Sequence, residues 1–309
     1  MMDALDDFRM TDAEFRILSD LLRSRCGLHF DEATRYLAEK RLARRIRETD
    51  LGSVASYLYL LRNGASAEEE LSTLIDILTT NETYFFRERS QLDALVEEAI
   101  PELLARPARL SRPISIWSAG CSTGEEPYSI VVLGREAGLV PGKDFRVYAS
   151  DISRPVLAKA RRGIYREAAF RETDDRLRAS YFAEKDGHFK ISDRIKREVH
   201  FVHMNFFDSA RVALLGTMDI IMCRNVLIYF DLESKKQVVK VFRDKLEPGG
   251  YLFLGHAESL ISVTTDFELK HFLRDLVYRR PVPGEEREDP WHSLAHRGLS
   301  EAERIGDDQ

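Results

Sequence analysis

The stretch with the clearest chemical character reads Trp117–Ser118–Ala119–Gly120–Cys121–Ser122–Thr123–Gly124–Glu125–Glu126–Pro127. It follows a short apolar run, Ile114–Ser115–Ile116–Trp117, and precedes residues that favour a helix. Gly120 and Gly124 let a strand turn sharply into a helix and let the backbone approach a ligand closely. The helix N-terminus there presents free N–H groups. Phosphate-binding turns of this kind read GxGxxG or GxxxxGK(S/T). This one reads neither, and Glu125 and Glu126 would repel a pyrophosphate. They suit a ligand with a cationic portion, such as the amino and sulfonium groups of S-adenosylmethionine. Taken singly, the loop is equally a tight strand-to-helix turn.

Other strand ends add to it. Asp151 closes a second strand, where open α/β sheets bind ligands beyond the strand carboxyl ends. It can receive ribose hydroxyls or cap the next helix. Asn205 and Phe206 follow a third strand, where one would read an adenine edge and the other pack on the ring; a turn Asn and a core Phe are the alternative. Arg224–Asn225 ends an apolar fourth strand, a position that favours a cleft.

The elements that must hold these residues alternate. Strands are expected at 114–117, 145–149, 199–203, 219–223 and 251–254, with a closing antiparallel pair at 267–272 and 276–280. Helices are expected at 128–137, from Ser153 or Arg154 onward, and at 231–246, where Pro248–Gly249–Gly250 closes the last. The alternation predicts a doubly wound, mostly parallel α/β sheet. Asp186–Gly187 followed by His188 marks a small hairpin insert at about 164–198. Ahead of the sheet lie four short helices and no strand signal. Thr11 or Asp12 caps the first, Gly27 ends it, Asp31 starts the second, and 54–61 and 68–78 are the others.

These boundaries divide the chain into a helical domain (1–78), a connecting helix carrying ligand-binding residues (79–112), an α/β domain (113–280) and an acidic tail (281–309). The tail is rich in Pro, Glu and Asp and is expected to be mostly disordered.

The 309 residues suffice for a sizeable core, and a net charge of −6 argues against a general nucleic-acid binder. Cys26, Cys121 and Cys223 form no CxxC pair, so a disulfide framework or cysteine zinc site is not expected. His200 and His203 do not pair with carboxylates as ligands, and no metal is expected. The N-terminus lacks a signal-peptide pattern and no apolar run spans a bilayer, which fits a cytoplasmic protein.

The segments together resemble the CheR-type chemotaxis receptor methyltransferases. The matching residues are Thr80–Asn81–Glu82–Thr83–Tyr84–Phe85–Phe86–Arg87, the glycine loop through Ser129, and Ala149–Ser150–Asp151–Ile152. They continue with Cys223–Arg224–Asn225–Val226–Leu227–Ile228–Tyr229–Phe230–Asp231 and Leu254–Gly255–His256–Ala257–Glu258–Ser259. Order and spacing hold from about Asp12 to Arg280. The resemblance implies a Rossmann-like class I methyltransferase domain with an all-helical N-terminal domain and S-adenosylmethionine as donor. It implies glutamates on the cytoplasmic helical bundle of chemoreceptors as acceptors. Cofactor contacts carried over are Asn81, Thr83, Arg87, Glu126 or its neighbour Glu125, Asp151, Asn205, Phe206, Arg224 and Asn225. The transferred methyl would lie near Arg87 and Tyr229, the catalytic candidates.

The chemistry agrees. A glutamate of ordinary pKa about 4.3 is ionised near neutrality, so an in-line attack on a sulfonium methyl needs no general base, and none stands out. Arg87 would orient one carboxylate oxygen while the other attacks. Arg35, Lys40, Arg41, Arg44, Arg45 and Arg47, with Glu39 among them, make the second helix basic. That is either a solvated face or a docking surface for an acidic bundle, through Arg41, Arg44 and Arg45. The insert's turn is short, which favours a member that does not tether a receptor peptide. Competing readings are a receptor of another sensory pathway, a non-catalytic sensor of S-adenosylmethionine or its demethylated product, and a small-molecule methyltransferase. A monomer is expected.

Overall fold

The computed structural model describes residues 9–106 and 112–285. Most of the tail expected to be disordered, 286–309, lies outside the described residues.

Four helices open the chain: α1 (Asp12–Cys26), α2 (Arg35–Glu48), α3 (Val54–Asn63) and α4 (Ala67–Leu78). Thr11 caps α1 in a capping box with Glu14, and Gly27, at φ 77°, ends it in the left-handed region. α2 starts four residues later than expected. Asp31 instead ties off a turn, its Oδ1 accepting from Thr34 N at 2.9 Å and Thr34 Oγ1 at 2.7 Å. Two buried acids brace the bundle. Glu70 on α4 accepts Arg45 Nε and Nη2 at 2.8 and 2.6 Å and the Tyr57 hydroxyl at 2.5 Å. Glu39 accepts Met10 N and the Arg9 and Arg35 guanidiniums.

Residues 79–88 are not helical. The connecting helix begins at α5 (Arg89–Ala94), widens into a π turn (Leu95–Ala99) and ends in α6 (Ile100–Leu104). The cofactor candidates Asn81, Thr83 and Arg87 therefore sit on an irregular strap before the helix, not on it. Burial of Phe85 and Phe86 fixes the strap. Phe85 N donates to Ala169 O at 2.9 Å and Phe86 N to Ser129 Oγ at 3.0 Å, so neither N–H is available to a helix.

The sheet strands are β1 (Ile114–Ala119), β2 (Phe145–Asp151), then, after a small insert, β6 (Val199–His203), β7 (Met218–Cys223), β8 (Leu246–Leu254), β9 (Glu268–His271) and β10 (Leu276–Arg279). Their order is β6-β2-β1-β7-β8-β10-β9. The first five are parallel, and β10 pairs antiparallel with β8 and β9. The chain winds from β1 outward to β2 and β6, then returns to β7 on the other side of β1. That reversal is where a doubly wound sheet opens a crevice. β8 begins at Leu246, so Pro248–Gly249–Gly250 lies inside the strand, at a register shift opposite Met218–Ile220. Gly250 is required there, since a Cβ would meet Asp219 O at 2.6 Å.

The crossover helices are α7 (Glu125–Glu136), α8 (Arg154–Arg162), α11 (Ser209–Leu214) and α12 (Leu232–Lys245). α7 begins at Glu125, three residues before the expected start, which puts both loop acids in its first turn. The insert, containing α9 (Asp175–Tyr181) and α10 (Asp193–Lys196), is a three-stranded sheet rather than a bare hairpin. β3 (Ile164–Tyr165) and β4 (Phe182–Lys185) flank β5 (His188–Ile191). Asp186 and Gly187, at φ 53° and 69°, make its two-residue turn. Rings of Phe170, Tyr165 and Phe182 stand 4.8 to 5.1 Å from Phe85, joining insert and strap.

One core fills each sheet face. α5, α6, α7 and the insert cover one. On the other, Leu18, Leu42 and Leu74 of the helical module share a core with Trp117, Phe242 and Leu252. Among the described residues no helix is long and apolar enough to cross a membrane.

Candidate active site

A cleft of about 400 Å³ opens at the carboxyl ends of β1, β2 and β7, within the range usual for small-ligand sites. Its walls come from the strap, the glycine loop, the ends of β2 and β6, the segment 224–230 and the turn between α1 and α2.

The loop follows the expected sharp path. Gly120, Ser122 and Gly124 all have positive φ, at 83°, 49° and 94°. Gly120 N and Cys121 N donate to Ser150 O at 2.8 and 2.9 Å, closing the turn against β2. Ser122 N donates to Asp151 Oδ2 at 2.8 Å, and Ser122 Oγ donates to Asn81 O at 3.0 Å. Loop, strand end and strap are thereby locked together. Asp151 Oδ1 accepts Ser153 N at 2.9 Å. Asp151 thus caps the turn into α8 and lines the cleft as well. Burial raises its pKa above the ordinary carboxylate range, opposed by those two N–H groups.

Glu126 and Glu125 part company. Glu126 lines the cleft. It accepts Ser118 Oγ at 2.7 Å and Arg224 Nη1 at 3.1 Å. Burial pushes its pKa up and Arg224 pulls it back. Glu125 does not line the cleft; it is buried with both oxygens on Thr123 Oγ1, at 2.9 and 2.7 Å. Burial raises its pKa from 4.5 to about 7. A raised carboxyl favours the fold while protonated, so its contribution is present below pH 4.5 and lost as pH rises through about 7. The neutral isostere Glu125→Gln is expected to exceed the native protein in stability above pH 7 by up to about 3 kcal/mol. The two should converge under acid. Urea unfolding across pH checks this; parallel stability curves would refute it.

Arg224 carries the next layer. Its side chain is 2% exposed, Nη2 reaching Glu88 Oε2 at 3.2 Å and the Arg87 carbonyl, Nη1 reaching Glu126. Arg224 Nε is buried with no hydrogen-bond partner. Asn225 adopts φ 59°, with Nδ2 3.5 Å from Glu88 Oε1.

Arg87 lines the cleft between two left-handed residues, Phe86 at φ 60° and Glu88 at φ 52°. Its guanidinium lies 5.6 Å from the Tyr84 ring centre and Nη1 donates to Glu82 O at 3.3 Å. Tyr229 ends a 3₁₀ turn (Leu227–Tyr229) and lines the same cleft. Its carbonyl accepts His29 N at 2.9 Å, and Leu28 bridges to Phe230. The helical module is thus stitched to the segment that carries Tyr229.

Asn81, Thr83, Asn205, Phe206, Arg224 and Asn225 also line the cleft. The Asn205 amide is already engaged, Nδ2 donating to Arg25 O at 2.7 Å and Oδ1 accepting Phe207 N at 3.0 Å. These bonds fix the side chain in the cleft wall and use one of its two amide hydrogens and one of its two oxygen lone pairs. Phe206 packs edge-on against Trp117 and Phe242, at 5.8 and 5.5 Å.

The three docking candidates separate. Arg45 is committed to Glu70 and Glu48 and is a brace inside the bundle. Arg41 lines the cleft, its Nη1 donating to Leu78 O at 2.6 Å and Thr79 O at 3.3 Å. Only Arg44 of the three faces solvent, at 81% exposure, beside Glu48.

Sequence reasoning missed Glu88, the α1–α2 turn residues Leu28, His29 and Phe30, and Glu258. Of these only Glu258 stood in a recognised segment. Its carboxylate accepts four backbone N–H groups and its pKa is raised by burial against them. Among the described residues no His, Cys, Asp and Glu cluster could hold a metal.

The residues present fit S-adenosylmethionine. The cleft pairs an acid at a strand end with a second acid, Glu126, at the opening of a helix. Arg224 Nε is an orphan donor in a cleft-lining side chain.

Comparisons with known proteins agree with this geometry. Residues 81–273 match the model of the CheR methyltransferase, SAM binding domain, and residues 13–79 that of the CheR methyltransferase, all-alpha domain. Chemotaxis protein methyltransferase 2 of Vibrio cholerae is 40% identical over 92% of this chain and 98% of its own length. Chemotaxis protein methyltransferase of Vibrio parahaemolyticus is 37% identical over 87% of this chain and 98% of its own. That of Escherichia coli is 34% identical over 87% and 92%. With its fold, its cleft and these matches together, the chain belongs to the CheR family of S-adenosylmethionine-dependent methyltransferases.

Proposed function

We propose that this protein methylates glutamate side-chain carboxylates on the cytoplasmic helical domain of chemoreceptors, forming glutamyl methyl esters for chemotactic adaptation. The observation that carries the reading is Arg87, a cation held by its strained strap in the wall of the cofactor cleft, where an anionic acceptor would enter. The names of the relatives point to the same pathway.

Asp151, Glu126, Asn225 and Arg224 would hold the donor; bound there, S-adenosylmethionine supplies a methyl group on a positively charged sulfur. The protein's task is then placement. Arg87 pairs with one acceptor oxygen, leaving the other free to attack, and the Tyr229 hydroxyl bounds the acceptor from the opposite segment. Binding by Arg87 must stay moderate, because a nucleophile held too tightly in the ground state is slowed. Glu88 limits it, with Oε1 4.0 Å from Arg87 Nε. The carboxylate arrives ionised, so no base is needed. Its raised-pKa neighbours Asp151 and Glu126 are cofactor-side groups and take no proton from it.

Docking rests on the solvent face of α2, where Arg44 joins exposed Lys40 and Arg47. A glutamate-rich bundle would be steered to such a face. We place the enzyme in the cytoplasm, where the proposed substrate domain of the receptor lies.

The test transfers labelled methyl groups to receptor cytoplasmic domains and treats the product with base. Esters release labelled methanol; a base-stable product would mean that the acceptor is not a carboxylate and would overturn the reading. In the same assay Arg44→Glu should raise KM for receptor severalfold and leave cofactor affinity alone. An unchanged KM would remove α2 from docking.

A further inference from the structure

Glu258 does not line the cleft, yet it organises the segment that does. Oε2 accepts Asn225 N at 2.7 Å and Gly255 N at 2.8 Å. Oε1 accepts Val226 N at 2.9 Å and Ile228 N at 3.2 Å. The segment 225–228 runs left-handed at Asn225 and enters a 3₁₀ turn at Leu227, so neither helix nor sheet satisfies these N–H groups. A buried N–H without an acceptor is costly. One carboxylate supplies all four acceptors, an internal anion in a nest of backbone donors. Asn225 at the start of this segment and Tyr229, the residue after it, reach the cleft.

We propose that Glu258 is a positioning residue for methyl transfer, its carboxylate setting the backbone from which Asn225 addresses the cofactor and Tyr229 the acceptor. The acceptor half of this statement rests on the glutamate reading above; the cofactor half does not. The requirement is for a carboxylate and not merely a polar side chain. Glutamine of the same shape would turn an NH₂ group towards two N–H donors and lose two of the four bonds. Gly255 belongs to the same device. A Cβ there would lie 2.8 Å from Asn225 Nδ2, 2.9 Å from Asn225 N and 3.0 Å from Glu258 Oε2. The backbone of Gly255 is not left-handed, so alanine there acts through crowding alone and must displace this contact.

The experiment compares full-length Glu258→Gln and Gly255→Ala with the native protein. Calorimetric titration with S-adenosylhomocysteine gives Kd, labelled transfer to receptor fragment gives kcat and KM, and the titration stoichiometry gives the folded fraction. Both variants are expected to weaken S-adenosylhomocysteine and to lower kcat per folded molecule, each on the order of tenfold, with receptor KM unchanged. A purely structural role would lower the folded fraction and leave Kd and kcat per folded molecule at native values; that result overturns the proposal. Gly255→Ala keeps the carboxylate, so it decides the question if Glu258→Gln does not fold. Should the native protein form no ester, the glutamate reading fails, while the shift in Kd still stands or falls by itself.

Discussion

Arg224→Ala is expected to destabilise the protein by about 3–5 kcal/mol and to remove measurable cofactor binding. The side chain is 2% exposed and joins Glu126 to Glu88, two acids that are themselves only 15% and 14% exposed. Taking away the cation leaves Glu126 without its ion-pair partner in a poorly solvated pocket and Glu88 with Arg87 alone, 4.0 Å away, the case in which breaking a buried pair costs most. The effect spreads to the strap, because Arg224 also donates to the Arg87 carbonyl. Lysine cannot replace it, since a single ammonium cannot serve partners on three segments at once in a planar fork. Urea unfolding and titration with S-adenosylhomocysteine measure the two losses. A loss of under about 1 kcal/mol, typical of an exposed ion pair, with native affinity would show that the network is ornamental.

Removing the Arg87 guanidinium should act on rate. Arg87→Ala is expected to lower kcat on the order of a hundredfold, the scale of misplacing an acceptor by about an ångström. Cofactor affinity should fall much less. The strap gives the reason: Phe85 and Phe86 are buried and hydrogen-bonded to the insert and to α7, so the backbone that carries Arg87 does not depend on its side chain. Arg87→Lys keeps the charge and loses the fork, so partial recovery would separate charge from geometry. Tyr229→Phe keeps the ring and should cost less. Single-turnover transfer at saturating cofactor gives the rate, and titration the affinity. Equal turnover in all three variants would take both residues out of the reaction.

Much of the α/β architecture was legible along the chain. Runs such as 114–117, 145–149 and 219–223 are mostly apolar and short, with few polar residues such as Arg146 and Ser115 among them, because parallel strands covered on both faces show little polar side. The glycine loop and Asp151 announced the cleft for a related reason: a sharp turn and a strand-end acid need particular residue types locally. The helical module was equally readable from its caps and spacing, apart from the α2 start, where Asp31–Thr34 side-chain bonds compete with the helix.

What the linear order could not show were matters of facing and of distant partners. Arg44 and Arg45 are adjacent on one helix, yet successive helical residues point about 100° apart, and only the packing of α4 turns one of them into a brace for Glu70. Glu125 and Glu126 divide in the same way, one to Thr123 and one to the cleft. The strap has no periodicity of its own and takes its shape from two phenylalanines gripped by the insert and α7. Glu258 finds Asn225 across 33 residues of chain. Sequence alone determined the fold class, the cofactor region and the chemistry open to it, because these depend on residue type and local spacing. Which charges are braces, which line the cleft, and what holds Asn225 and the two neighbours of Arg87 in left-handed backbone were decided by tertiary structure, because buried polar groups must be satisfied by whatever partner the fold brings near.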